Sequence, residues 1–182
     1  NPRNIPPMCG SCHGETAVIT SDFVRLPISL PNYLASVHGK GWKEGKRTAV
    51  CTDCHGTHDL QNAQRAESSI NRFKLADTCG KCHGEVAAEY HRSIHGKALA
   101  LGLEDSPTCT SCHDEHLIRR HDDPDARVSV ENRVRELCGD CHTDPTLIAK
   151  YGIPAGVVES YLDTGDPVGS RAIGDRRHLA HS

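Results

Sequence analysis

Aromatic residues are scarce in this chain of 182 residues: one Trp, two Phe and four Tyr, 4 % of the total. Apolar residues reach 36 % only when ten cysteines are counted among them. A chain of this length ordinarily buries a sizeable core of Leu, Ile, Val and Phe, and this one is poorly supplied for it. No apolar run approaches the roughly 18 residues of a membrane-spanning helix; the stretch 98–103 comes nearest and is far too short. A dominant charge of one sign is missing too. The formal net charge is −3, without the basic footprint of a nucleic-acid partner. The alternation and β-branched runs that mark strands are lacking, which leaves a mainly irregular chain with short α-helices and little or no β-sheet.

What the chain has is cysteine, and all of it in one pattern. Cys-x-x-Cys-His occurs five times, at Cys9/Cys12/His13, Cys51/Cys54/His55, Cys79/Cys82/His83, Cys109/Cys112/His113 and Cys138/Cys141/His142. A lone Cys-x-x-Cys is compatible with a zinc half-site, a disulfide or a redox dithiol. With 13 histidines in 182 positions, a chance His after each of five such pairs has odds of roughly two in a million. Cys-x-x-Cys-His is the attachment signature of c-type haem: two thiols bond to the porphyrin edge and the imidazole becomes an axial ligand. The expectation is five haem c groups, with those ten cysteines covalent and those five histidines proximal. Five large apolar plates would also supply the missing core, so the fold is expected to be haem-cored.

The motifs alternate between two kinds. Cys-Gly-x-Cys-His stands at Cys9, Cys79 and Cys138, and Cys-Thr-x-Cys-His-x-x-His at Cys51 and Cys109, ending in His58 and His116. Between them Tyr33-Leu-Ala-Ser-Val-His38-Gly-Lys is echoed by Tyr90-His-Arg-Ser-Ile-His95-Gly-Lys. The spacings of 58 and 57 residues between the paired elements indicate duplication. Residues 1–164 read as one multihaem domain built from units at about 9–78, 79–137 and a partial 138–164, followed by a polar tail, 165–182. In the third unit the position of the expected histidine holds Asp166. Helices are expected at 32–37, 85–101, 130–137 and 157–162, with a short turn of helix at each haem motif.

The repeat selects His38, His58, His95 and His116 as distal ligands, and one of His178 or His181, from this chain or a neighbouring subunit, for the fifth haem. Met8 is the one methionine, so bis-His ligation is the rule, and that places the haems at low potential. His58 and His116 lie three residues after a proximal histidine. On a helix that separation is about 5–6 Å between Cβ atoms, too little to span a porphyrin, so each is expected to reach a neighbouring haem. His91 and His121 read as solvated polar residues. The acidic stretch around Asp122–Asp125 lacks EF-hand spacing and reads as a charged loop.

Cys-x-x-Cys-His-Gly-Thr-His58, preceded by Ser36-Val-His38-Gly-Lys, resembles the bacterial and archaeal multihaem cytochromes c of respiratory electron-transfer chains, over residues 9 to about 162. The resemblance implies haems packed in a row and mostly bis-His iron. The function it implies is that of an electron carrier, with redox proteins or further copies of the chain as partners, a head-to-tail filament among them. Because such haems are attached outside the cytoplasm, a periplasmic or extracellular protein is expected, its leader removed or the sequence a segment of a longer chain. The alternative is a multihaem reductase with an open iron at His142.

Overall fold

The computed structural model describes residues 1–14, 29–130 and 132–163. Every regular element among them is helical, with no strand. The chain divides into two compact units, 1–118 and 119–182. The first holds a 3-10 turn, Pro2–Asn4, and eight short helices: α1 Ile5–His13, α2 Leu30–Ala35, α3 Val37–Lys43, α4 Cys51–His55, α5 Leu75–Gly80, α6 Gly84–Arg92, α7 Ile94–Ala100 and α8 Cys109–His113. The second holds a π-helical turn, Arg133–Cys138, then α9 Gly139–His142, α10 Pro145–Tyr151 and α11 Val157–Asp163. No helix among the described residues is long and apolar enough to cross a membrane. The tail 165–182, with His178 and His181, lies outside the described residues.

One device sets the repeated helix corners. The continuous helix expected over 85–101 is two helices, α6 and α7, broken at Ser93, whose backbone is extended (φ −69°, ψ 164°). Ser36 breaks α2 from α3 in the same way (φ −72°, ψ 169°). Each serine caps the following helix, its Oγ accepting from the Gly39 or Gly96 N–H at 3.1 Å, the usual N-cap bond. Each hydroxyl also donates back to the Tyr33 or Tyr90 carbonyl, at 2.6 and 2.7 Å. The corner is tight enough that a Cβ on Gly39 or Gly96 would overlap the tyrosine carbonyl oxygen. Tyr-x-x-Ser-x-His-Gly is thus a helix corner with the histidine in the first turn of its second helix. Propensity alone could not show the break, because a capping serine is also tolerated inside a helix.

The tyrosine of each corner ties it to the next cysteine motif. Tyr33 Oη donates to the Ala49 carbonyl at 3.0 Å and Tyr90 Oη to the Pro107 carbonyl at 2.9 Å. Both acceptors lie two residues before the first cysteine, Cys51 or Cys109. Burial, with Cys51 and Asp53 nearby, pushes the Tyr33 hydroxyl up to about 12, so it stays protonated as a donor. A second element, Ser-x-x-Asn-Arg, precedes Cys79 and Cys138. Asn71 Nδ2 donates to the Ala63 carbonyl and Asn132 Nδ2 to the Pro124 carbonyl, each at 2.9 Å.

The apolar interior is thin. Buried apolar residues among those described are Val50, Leu75, Ala76, Ala87, Leu99, Ala126 and Val158, three of them alanine. Buried Ser36, Ser68, Asn71, Thr78, Ser106, Thr108 and Ser129 match them in number. Ile94 and Leu101 are 75 % and 81 % exposed. Polar ties, more than side-chain packing, set the paths of these short helices.

Candidate functional site

The five motifs sit on short helices. Cys9, Cys12 and His13 are on α1; Cys51, Cys54 and His55 form α4; Cys109, Cys112 and His113 form α8. Cys79 lies near the end of α5 and His83 just before α6, while Cys138 closes the π-helical turn that runs into α9 with Cys141 and His142. Helical spacing of three puts both thiols of a motif on one face. At two of the three Cys-Gly motifs the glycine has a packing reason. In α1 a Cβ on Gly10 would run into Leu30 of α2, and in α5 one on Gly80 would meet the Ala87 Cβ of α6 at 3.0 Å. In α4 and α8 a side chain caps the motif instead: Asp53 Oδ2 accepts from Val50 N at 2.8 Å, and Ser111 Oγ from Thr108 N at 3.0 Å.

In the first unit the motif helices touch in chain order, α1 against α4, α4 against α5, α5 against α8. Sulfur contacts mark two of these junctions, Cys9 with Cys51 and Cys79 with Cys109. The Cys79 and Cys109 sulfurs share a hydrogen bond, which drives their pKa values apart, one below and one above the ordinary thiol value. Burial, and then Cys9, push Cys51 up to about 11. At the α4–α5 junction the Ser69 hydroxyl donates to the Cys54 carbonyl, and Thr78 Oγ1 donates to the Ser69 carbonyl at 2.7 Å. None of the ten cysteines is in a disulfide, and among the described residues no three His, Cys, Asp or Glu side chains converge as a metal cluster.

Two pairs of imidazoles face one another across motifs. The rings of His55 and His116 have centroids 5.9 Å apart and planes 5° apart. Those of His38 and His83 are 6.3 Å apart with planes at 48°. A metal–imidazole bond is about 2.0 Å, and ring nitrogen to ring centre adds about 1.1 Å. Two imidazoles trans on one iron therefore have centroids about 6.2 Å apart, and both pairs fit. Each pair joins the proximal-type histidine of one motif to a repeat histidine from another part of the chain. Burial lowers the pKa of His38, His55 and His116, and neighbouring imidazoles lower it further: His83 at His38, His116 and His13 at His55, and His13 at His116, where Glu115 opposes. The neutral ring is the form that ligates a metal.

The other sequence-selected histidines are placed differently. His58 and His113 are exposed, and the His58 ring nitrogen Nδ1 hydrogen-bonds Thr57 Oγ1 at 3.2 Å. His95 is exposed in the first turn of α7, and His142 is half-buried at the end of α9. His91 pairs with Asp77 at 3.0 Å on the surface. His121 is exposed, and the acidic loop beside it is neutralised internally, Arg119 meeting Asp123 and Asp125 and Arg120 meeting Asp122.

The residue after the motif histidine has a backbone role that sequence reasoning missed. Gly56 (φ 81°, ψ −178°) and its counterpart Asp114 (φ 65°, ψ 172°) occupy the same region, one that glycine alone adopts freely. It turns the chain out of the helix toward His58 and His116. The signal was the glycine of Cys-His-Gly, obscured because the second copy holds Asp. Asp114→Gly is expected to raise the unfolding free energy by about 1 kcal/mol, strain relieved less entropy lost, as read by denaturant unfolding.

Comparison of the chain with protein-family models, with curated proteins and with solved structures finds no match.

Proposed function

We propose that the chain binds five c-type haems covalently and passes electrons along them as a carrier, in a respiratory or extracellular electron-transfer chain. The observation that carries this reading is the pairing of motif histidines with repeat histidines, His55 with His116 and His38 with His83, at the separation of trans ligands on one iron. A zinc or disulfide framework gives no reason for such pairs. Bound there, haem supplies one-electron chemistry at the iron. The chain's part is to hold, space and insulate. Each Cys pair anchors one edge, each motif histidine offers an imidazole, and the contacts of α1, α4, α5 and α8 keep consecutive sites adjacent. The thin interior supports the same reading, since apolar plates would cover what Ile94 and Leu101 expose.

Cys9, Cys12, Cys51, Cys54, Cys79, Cys82, Cys109, Cys112, Cys138 and Cys141 are the attachment residues in this account, and His13, His55, His83, His113 and His142 the proximal ligands. His116 and His38 are the distal ligands of the sites at His55 and His83. Attachment of this kind implies an exported protein, periplasmic or extracellular, whose partners are redox proteins or further copies.

The two ring-plane angles give a direct test. Nearly parallel imidazole planes split the two iron orbitals that π-bond with them more than crossed planes do. Low-temperature electron paramagnetic resonance of the ferric protein is therefore expected to show a rhombic low-spin signal from the site at His55. The site at His83 is expected to be more axial, with a larger principal g value. Identical signals from both, assigned with His116→Gly and His38→Gly, would contradict the ligand pairing.

A further inference from the structure

Duplication by itself makes the sites at Cys51 and Cys109 alike, yet the charges beside them differ in sign. In the second copy Arg72 Nη2 donates to the Ser106 carbonyl at 2.7 Å, three residues before Cys109. Tyr90 Oη donates to the next carbonyl, that of Pro107. The Tyr90 hydroxyl feels this surrounding: burial and then Cys109 push it up, and Arg72 opposes them. Arg72 is half-buried, and its Nε–H is buried with no partner among the described residues. None of the ion pairs among those residues includes it. Arginine keeps its charge at any ordinary pH, so a fixed, unpaired cation stands beside the α8 motif.

In the first copy the matching tyrosine, Tyr33, is pushed up by burial, Cys51 and then Asp53. Asp53 stands where the second motif has Ser111, and each accepts the N-terminal N–H of its helix. Only Asp53 brings a negative charge. Around the Cys51 site Asp53 and Glu115 outweigh Lys81. Around the Cys109 site Arg72 offsets Asp114, which acts on His113.

We infer that Arg72 and Asp53 hold the two repeat-related haems at unequal reduction potentials, the haem at Cys109 and Cys112 above the haem at Cys51 and Cys54. This rests on the five-haem reading. Reduction adds an electron at the iron, so a nearby cation favours the reduced form and a nearby anion the oxidised form. Arg72 has the larger effect, because a half-buried charge is screened less than an exposed one such as Asp53. An electron shared between the two copies then resides on the second, a direction that the repeat alone does not give.

A redox titration of the holoprotein and of single variants tests this. His116→Gly marks the wave of the Cys51 haem. Arg72→Gln, which keeps a donor for Ser106, is expected to shift a different wave downward, one that in wild type lies above the marked wave. Arg72→Lys keeps the charge and leaves that wave near its wild-type position. Tyr90→Phe removes the neighbouring tie to Pro107 with no change of charge, and leaves it there too. Asp53→Asn, still able to cap Val50, raises the marked wave and narrows the gap from the other side. The inference is overturned if Arg72→Gln leaves every wave in place, or if Asp53→Asn leaves the marked wave unmoved. It is overturned equally if Arg72→Lys or Tyr90→Phe moves the wave as far as Arg72→Gln, or if the wave that moves lies below the marked one in wild type. Fewer than five covalent haems by intact mass would instead sink the reading beneath it.

Discussion

His116→Gly is expected to convert one haem of the ferric protein, the one attached at Cys51 and Cys54, from low-spin to high-spin, while all five haems stay covalently bound. His116 is the ring facing His55, at 5.9 Å between centroids. Its backbone is held by the turn at Asp114 and, two residues on, by Val37 N donating to the Ile118 carbonyl at 2.9 Å. Among the described residues no second imidazole is placed to take over: the rings near it are those of His55 and His13, both motif histidines of their own sites. Added imidazole is expected to fill the gap and restore the low-spin spectrum. A variant with unchanged absorption and spin state would remove His116 from the ligand set and leave its pairing with His55 without a function.

His38→Met is expected to raise the midpoint potential of a single haem, the one at Cys79 and Cys82. Methionine opposite histidine favours the reduced iron, and axial ligands span roughly 0.8 V of potential, so the displaced wave separates clearly from the other four. His38 stands in the first turn of α3, with Ser36 capping that helix and Thr48 Oγ1 donating to the His38 carbonyl at 2.9 Å. The position is fixed by backbone contacts that the substitution leaves alone. A redox titration is the measurement. A shift of every wave would indicate general loosening, and no shift would place the ligand of that site elsewhere.

Much of this was legible in the sequence because covalent chemistry has a fixed spelling. Two thiols three residues apart and a histidine beside them can be counted without a fold. The duplication was legible for the same reason, and it singled out His38 and His116 before any ring was located. The pairing was not. Which motif His38 faces depends on the corner at Ser36 and on how α4 lies against α5, and those are long-range consequences of hydrogen bonds such as Tyr33 to Ala49 and Ser69 to Cys54. The break at Ser93 was hidden because the apolar periodicity of α6 runs on into α7. Helix α10 was missed although its signals stand in the sequence: Asp144 caps it, accepting from Thr146 N at 2.7 Å, Pro145 opens it, and Gly152 ends it in the left-handed conformation. The fifth distal ligand, expected from His178 or His181, falls outside the described residues.

The account stands on five covalent haems, and the intact mass of the native protein under denaturing conditions tests that most directly. The account predicts the chain mass plus five haems, with none of the ten cysteines open to alkylation and the absorption of c-type haem in the same sample. A bare chain mass with alkylatable thiols, or one with bound zinc released on denaturation, would contradict it.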